Sequence, residues 1–479
     1  MMLRAAKILA VDFGTTRCKA EVISSNGDIL SIADKDVRLQ ESVSGSAKIS
    51  ERGWRRSVFS CIREAMASAG TRHVAMVSVT AQTACPVCFD DADHPVGPII
   101  SHLDTRAEAQ LTKASQLFPE SYVATKLVGN LRWLKDKDPK TFRKIGQVCD
   151  VKEYVGKLLT GKLTHDSMQL PRPRIRRMAD SLGVEPGIFG AEHDYAVPIG
   201  ESTQSASESC GLQPGTPVLI CPFDGMTGAV GSGLIHPNVL VEVAGTTEFM
   251  ATLAPARRRA TDFAIPSVTW GFIDSAHPHD RLRIVYTSPP LGFFFDWFRR
   301  ILYGKIRGEQ YDVIEQELSK LPPSSGDSLF VPKFSFENHG WRGSGQLLNI
   351  EMGKVRSDIL MVVMEGIAMN VRWIISYLKD KGIDIQSIRL SGGGSRSETW
   401  NQIRADIYGL PVTLLQTPET GCLGGAAFAT ASLGFYPSLG EASERIAHVT
   451  KTYVPNSTRK RKHARVYQLF EAMYRQPVR

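Results

Sequence analysis

Hydrophobic and polar positions along this chain alternate between short apolar runs and abrupt stops at glycine, threonine or aspartate. The first run, Ile8-Leu9-Ala10-Val11, reads as a buried strand and ends on Asp12-Phe13-Gly14-Thr15-Thr16. Cys18 to Ile23 follows as a second strand, and Asn26-Gly27 offers the positive backbone angles of a tight hairpin turn. The opening is therefore expected to be a small antiparallel meander with a carboxylate beside its first bend. Residues 53–69 place Trp54, Val58, Cys61, Ile62, Ala65 and Met66 at helical spacing on one face, and Val74 to Val79 reads as another buried strand. Helical patterns over 126–135 and 151–159 precede a basic, proline-containing stretch at 171–177. Pro217 to Cys221 is a further apolar strand, closed by Pro222-Phe223-Asp224 and a small-residue helix over 225–233.

The pattern then restarts. Val239 to Val243 reads as a strand ending at Gly245-Thr246-Thr247, and 248–253 returns as its partner, which repeats the strand, Gly-Thr-Thr, strand order of the opening. Later come a long helix over 358–379, a strand over 387–390, a glycine turn at 392–394 and a helix over 397–408. A small-residue helix over 421–432 and an exposed amphipathic helix over 466–474 complete the chain. The repetition predicts a duplicated α/β architecture with an N-terminal domain over 1–238 and a C-terminal domain over 239–479, since 479 residues exceed one ordinary core.

Composition narrows the class. Hydrophobic residues make up 42% and charged residues 22%, mean hydropathy is -0.13, and no uninterrupted apolar run is long enough to span a bilayer. Asp12 interrupts the apolar stretch that follows Arg4 and Lys7, so a secretory signal is not expected and the cytoplasm is the expected compartment. The formal charge of +8 sits largely in local runs at 172–177, 257–259 and 459–463. Without aromatic interleaving or a nucleic-acid motif these read as solvated faces, and no nucleic-acid or membrane partner is expected. Among eight cysteines only Cys85-Pro86-Val87-Cys88 forms a C-x-x-C, and no second pair exists to complete a zinc site. Reduced, inert thiols are expected there.

The candidate chemistry lies in the two Gly-Thr-Thr bends. Such a bend can point consecutive backbone N–H groups at a phosphate while the hydroxyls add donors. Taken singly each is a turn; paired after apolar strands, with Asp12 beside the first, they point to a nucleotide clamp in which Asp12 holds Mg2+ through water. Neither a P-loop nor a dinucleotide fingerprint occurs at the required spacing.

The segments VDFGTT (11–16), TAQ (80–82), LDTR (103–106), FDGMTGAVGSG (223–233), AGTT (244–247), SGGGSRSETWNQIRADIYGLPV (391–412) and ETGCLGGAAFA (419–429) stand in the order of the FGGY carbohydrate kinases. The chain resembles that family over essentially its whole length. The resemblance implies an actin-like, ribonuclease H-like ATPase fold with two lobes enclosing ATP and a small sugar or polyol in a central cleft. It assigns Asp224 as general base, Gly14, Thr15, Thr16, Gly245, Thr246 and Thr247 to the phosphates, and Gly393, Gly394 and Asn401 to the adenosine. Gln82, Thr83, Asp104, Arg106 and Asp224 become candidates for the substrate side, with a structural salt bridge and a buried amide as the alternative for Gln82, Asp104 and Arg106. Gly421 and Gly424 are expected to serve close helix packing.

Two stretches depart from the family's pattern. Relatives commonly follow the residue at Gln82 with two large polar side chains, where this chain has Thr83-Ala84, and the loop often written W-N-D-x-R is His102-Leu103-Asp104-Thr105-Arg106. Fewer donors imply a substrate other than glycerol or xylulose, because unpaired polar groups dominate hydroxyl discrimination. The loop at 334–345, with Glu337, His339, Trp341 and Arg342, also differs. A non-catalytic ATP-binding regulator is the competing reading, against which the retained Asp12 and Asp224 argue; a homodimer is compatible with the resemblance.

Overall fold

Lys7–Phe13 is a strand because its residues are wanted on both faces. Leu9, Val11 and Phe13 pack with Trp54, Val58, Cys61 and Ile62 of the Glu51–Ser68 helix, whereas Ile8 and Ala10 pack with Cys422, Leu423, Ala426 and Ala427 of the Thr420–Ser432 helix. A strand covered by a helix on each side reads as a continuous apolar run rather than an alternating one. Asp12 continues the even-numbered face, so its side chain emerges at the end of the strand on the side of the Thr420–Ser432 helix.

The computed structural model describes residues 6–14, 17–42, 45–119, 121–245, 247–255, 270–274, 282–304, 310–337 and 340–475. The chain divides into two compact units, Met1–Gly231 with Gly421–Ile446, and Ser232–Glu337, Trp341–Thr420 and Ala447–Arg479. A single boundary after 238 does not describe this division. The chain returns to the first unit at Gly421, because the small residues that follow let that helix lie directly on the first sheet.

The first unit holds a six-stranded sheet in the spatial order Ile29–Asp36, Arg17–Ser24, Lys7–Phe13, Met76–Ala81, Pro217–Ile220, Gly200–Glu201. The first three strands pair antiparallel, the next two join in parallel and the last is antiparallel again. The second unit repeats this with Leu282–Thr287, Glu248–Pro255, Val239–Ala244, Ser387–Ser391, Val412–Leu415 and Val449–Tyr453, and adds Trp270–Asp274 beyond the first edge. The expected duplication is thus present strand for strand. At the first hairpin only Gly27 takes a positive φ, +94°, and Asn26 does not. Ser24 explains the difference: its hydroxyl accepts from the N–H groups of Asn26 and Asp28, which closes the turn without a second left-handed residue.

Several elements extend past their sequence signals. The basic stretch at 171–177 begins a helix, Arg172–Leu182, in which Pro173 occupies the first turn, where its missing N–H costs nothing. The last helix starts at Ser457, capped by Asn456, and it buries His463, Val466, Tyr467 and Phe470 instead of standing exposed. The run at 257–259 lies outside the described residues.

Arg356–Asp380 is the one described helix long and apolar enough to cross a membrane by length and composition, and 78% of its apolar window is buried inside the protein. It forms the core of the second unit with Phe330, Val331, Trp400 and Phe470. Glu365 on this helix is buried, accepts from the Ser325 N–H at 3.0 Å and from the Ser325 hydroxyl, and is pushed up by burial from an ordinary 4.5 to about 7. A carboxyl with a raised folded value holds a proton that the unfolded chain releases. Its favourable contribution is therefore full below pH 4.5 and lost as pH rises through about 7. Glu365→Gln is expected to raise the Tm at pH 8 by a few degrees, on the order of 1–2 kcal/mol, and to change little at pH 4.5. Equal Tm differences at the two pH values, measured by thermal unfolding, would show that Glu365 does not carry this dependence.

Candidate functional site

In the first unit the site is built where three strands end together. Lys7–Phe13 delivers Asp12, and the bend after it is closed by the Gly14 N–H donating to Arg17 O at 2.9 Å. Thr15 and Thr16 lie outside the described residues. Met76–Ala81 runs parallel to it, and the N–H of the next residue, Gln82, donates to Phe13 O at 2.9 Å, so Gln82 is buried beside the Asp12 strand. Pro217–Ile220 ends in the corner Cys221-Pro222-Phe223, from which the Asp224–Gly231 helix starts. Thr80 and Thr227 both donate to Pro222 O, at 2.6 and 2.8 Å, and lie 3.1 Å from each other. This clasp fixes the corner from which Asp224 projects.

Asp224 is half-buried at the first position of its helix, and one carboxylate oxygen accepts from the Gly225 N–H at 2.7 Å. Burial raises it above the usual carboxylate range, with that hydrogen bond opposing. Asp12 is crowded differently. A Cβ added at Gly421 would overlap its Oδ2 and come within 2.9 Å of its Cγ, so the glycine makes room for the carboxylate rather than for a neighbouring helix. Gly424, as expected, serves helix packing, against the backbone of Thr227.

The segment after Gln82 is held by a residue that sequence reading passed over. Asp150 caps the Val151–Thr160 helix and is buried. Its Oδ1 accepts from the N–H groups of Val151 at 2.8 Å and Cys85 at 2.9 Å, and its Oδ2 accepts from the Ala84 N–H at 2.6 Å and the Thr83 hydroxyl at 2.8 Å. The Thr83 hydroxyl is therefore committed to Asp150. Burial pushes Asp150 up to about 6, while the bonds from Cys85, Thr83 and Ala84 pull the other way. The only signal in the sequence was a helix-capping aspartate before an apolar helical pattern, which predicts the cap but not the other three partners.

Asp104 and Arg106 form the structural pair that was one of the two expectations for them. Arg106 donates from Nε and Nη2 to both Asp104 oxygens at 2.7–3.0 Å, Asp104 also accepts from the Ala47 N–H, and the guanidinium lies 4.1 Å from the centre of the Trp133 ring. Nearby, the buried Lys126 donates to His102 O at 2.9 Å and is pulled down to about 8 by desolvation. His102 is lowered to about 4 by burial, with the charge of Lys126 adding. Its N–H approaches the Cys85 sulfur at 3.2 Å. Burial drives the Cys85 thiol well above its ordinary value, as it does for Cys149, and all eight cysteines are buried free thiols.

In the second unit the corresponding bend follows Val239–Ala244. Gly245 is exposed and its N–H donates to Val243 O at 3.0 Å; Thr247 is half-buried and Thr246 lies outside the described residues. The glycine turn packs on the same strand end. Gly392 has φ +81°, and a side chain there would strike the Ala244 carbonyl, while a Cβ on Gly394 would come 2.8 Å from that of Ala244. At Gly393 a Cβ would meet nothing within 4 Å. Asn401 is buried behind the turn, donating to Ser395 O at 2.7 Å, so its amide braces the glycines. Arg404, fully buried and unforeseen, pairs with Glu242 at 3.1 Å and Glu248 at 3.2 Å and donates to Gly394 O at 3.1 Å. It ties the glycine turn to the two strands that flank the 245–247 bend. Glu337, Trp341 and Arg342 lie on the strands Leu329–Glu337 and Gly340–Leu348, but their side chains, and all of His339, lie outside what is described.

Two sheets of this order, each with a glycine bend after its first strand, define an actin-like ATPase fold. The sequence matches the N-terminal domain of the FGGY family of carbohydrate kinases over residues 7–231 and the C-terminal domain over residues 240–433. The chain belongs to the FGGY family of carbohydrate kinases and is a carbohydrate kinase. It is 26% identical to the L-xylulose/3-keto-L-gulonate kinase of Escherichia coli K12 over 422 residues, 82% of this chain and 81% of that one. The crystal structure of xylulose kinase from Rhodospirillum rubrum is similar with a TM-score of 0.80 at 20% identity, covering 98% of each chain. The Plasmodium falciparum glycerol kinase with ADP has a TM-score of 0.79 at 14% identity, covering 99% of each.

Proposed function

We propose that the protein transfers the γ-phosphoryl group of ATP to a hydroxyl of a small sugar, ketose or polyol, with Asp224 as the general base. The observation that carries this reading is Asp224 itself: a half-buried carboxylate with a raised pKa at the head of a helix, on a corner clasped by Thr80 and Thr227. Phosphoryl transfer through a loose transition state needs in-line positioning and charge neutralisation, with one carboxylate at the attacking hydroxyl. As the new oxygen–phosphorus bond forms and the bond to the β-phosphate oxygen breaks, the hydroxyl proton passes to Asp224 and ADP leaves. The raised pKa makes Asp224 a better proton acceptor than an ordinary aspartate.

The bends at 14–16 and 245–247 would take the phosphates, and the open face of Gly393 with Gly394 the adenosine, with Asn401 holding that turn. Asp12 fits Mg2+ in kind: the ion keeps much of its water and needs one or two carboxylates, and Gly421 leaves room for the Asp12 carboxylate to stand at the strand end. When bound, Mg2+ supplies neutralisation of the phosphate charge. Gln82 is the candidate acceptor contact, with Asp104 and Arg106, which are paired to each other, as further candidates on the acceptor side. With the Thr83 hydroxyl turned to Asp150 and the Ala84 side chain lacking polar atoms, few side-chain donors remain here, and a ketose or polyol other than glycerol or xylulose is favoured.

The test is ADP release with Mg-ATP across D- and L-xylulose, D- and L-ribulose, fructose, erythritol, xylitol and glycerol. No release above background hydrolysis with any ketose or polyol would remove this reading. Two variants probe the metal side. Asp12→Asn is expected to raise the KM for Mg-ATP about tenfold or more while leaving the acceptor KM within about threefold. Gly421→Ala should reproduce that pattern, since its new methyl displaces the Asp12 carboxylate, a flexible side-chain end, without striking backbone. Normal Mg-ATP kinetics in either variant would make Asp12 a structural acid.

A further inference from the structure

We propose that Asp150 is a positioning residue for the acceptor side of the site, fixing the backbone of residues 83–85 and thereby the placement of Gln82. The inference rests on the reading of the first unit's strand ends as the acceptor site. Ala84 has φ +66°, one of three described non-glycine residues with a positive φ. A residue with a Cβ persists in that region only where its surroundings over-determine it, and such positions cluster at functional sites. The surroundings here are one buried carboxylate. Asp150 accepts from two successive peptide N–H groups, Ala84 and Cys85, and from the Thr83 hydroxyl, besides capping its own helix through Val151. Successive N–H groups converging on one point form a nest for an anion, and the protein supplies the anion from a helix 65 to 67 positions away in sequence.

A helix cap alone requires one of these four bonds. The other three converge on a segment with no repetitive structure of its own, between Met76–Ala81 and Val87–Phe89. That segment meets the rest of the site at both ends. Gln82 is bonded to the carbonyl of Phe13, next to Asp12, and the Cys85 thiol lies in the electrostatic field of Asp224 and receives the His102 N–H. Where a pair of large polar side chains could stand, the chain has a committed threonine and an alanine, so the rigidity of the acceptor wall comes from Asp150 behind it rather than from side chains in front.

The test compares the wild-type enzyme, Asp150→Asn, Ala84→Gly and the double variant, using the acceptor of the panel above that gives the fastest ADP release. Asp150→Asn replaces two of the acceptor positions by an NH2 group that faces donors. It is expected to raise the acceptor KM at least about tenfold while changing the ATP KM less than about twofold, and its crystal structure should show Ala84 out of the positive-φ region. Should Asp150→Asn not fold, the double variant carries the measurement, because glycine at 84 relieves the strain; it should exceed Ala84→Gly alone in acceptor KM by at least about tenfold. Parallel rises in both KM values, an unchanged acceptor KM with only a lowered Tm, or a φ that stays positive would overturn the proposal and leave Asp150 as a helix cap. A wild-type enzyme inert toward the whole panel would overturn the reading of the site instead, a result visible without any variant.

Discussion

Asp224→Ala is expected to retain ATP binding and lose sugar phosphorylation by about two to four orders of magnitude, the range of a general base. A loose transition state asks little of the base, which favours the lower end of that range. The variant should fold, since Asp224 makes one hydrogen bond, to its own neighbour's N–H, and the corner is held by Thr80 and Thr227. The pH profile supplies a second readout. A base works unprotonated, so kcat/KM should rise with pH through a limb placed above the ordinary aspartate range, as burial dictates, and the limb should vanish in Asp224→Asn. A loss of less than about tenfold, with the limb unmoved, would take Asp224 out of this role.

Gly424→Ala is expected to be strongly damaging for a single added methyl. A Cβ there would overlap the Thr227 carbonyl oxygen and come within 2.6 Å of its carbon and 3.0 Å of the Gly231 nitrogen. These are backbone atoms of the Asp224–Gly231 helix and cannot turn aside. Alanine in a helix interior is worth about 1 kcal/mol over glycine, whereas overpacking against fixed atoms costs roughly 1–3 kcal/mol or more. Separation of the two helices would also move Asp224. The expected outcome is a Tm lowered by several degrees together with reduced activity, checked by thermal unfolding and ADP release; a raised Tm would mean that the helices part without cost. Gly421→Ala, three residues earlier, should leave the Tm nearly intact, because the atom it meets belongs to a side chain.

Much of this was legible in the chain itself. Apolar runs ending in Gly-Thr-Thr, one at the start of each half, predicted a duplicated architecture whose halves open alike, since burial on both faces demands such runs and a bend must follow. The start of a small-residue helix at Asp224 followed from composition. What tertiary structure decided is which distant groups meet. Gly421 is a helix-packing glycine by composition, yet it stands against Asp12; Asp150 is a cap by position, yet it holds Thr83, Ala84 and Cys85; Asn401 turns inward to Ser395, and Arg404 joins two glutamates across three elements. Local patterns report the period of a strand or helix and the chemistry of its ends. They carry no information on which buried carboxylate will find which N–H, because that pairing is set by the requirement that every polar group enclosed by the packed sheets and helices be satisfied at once.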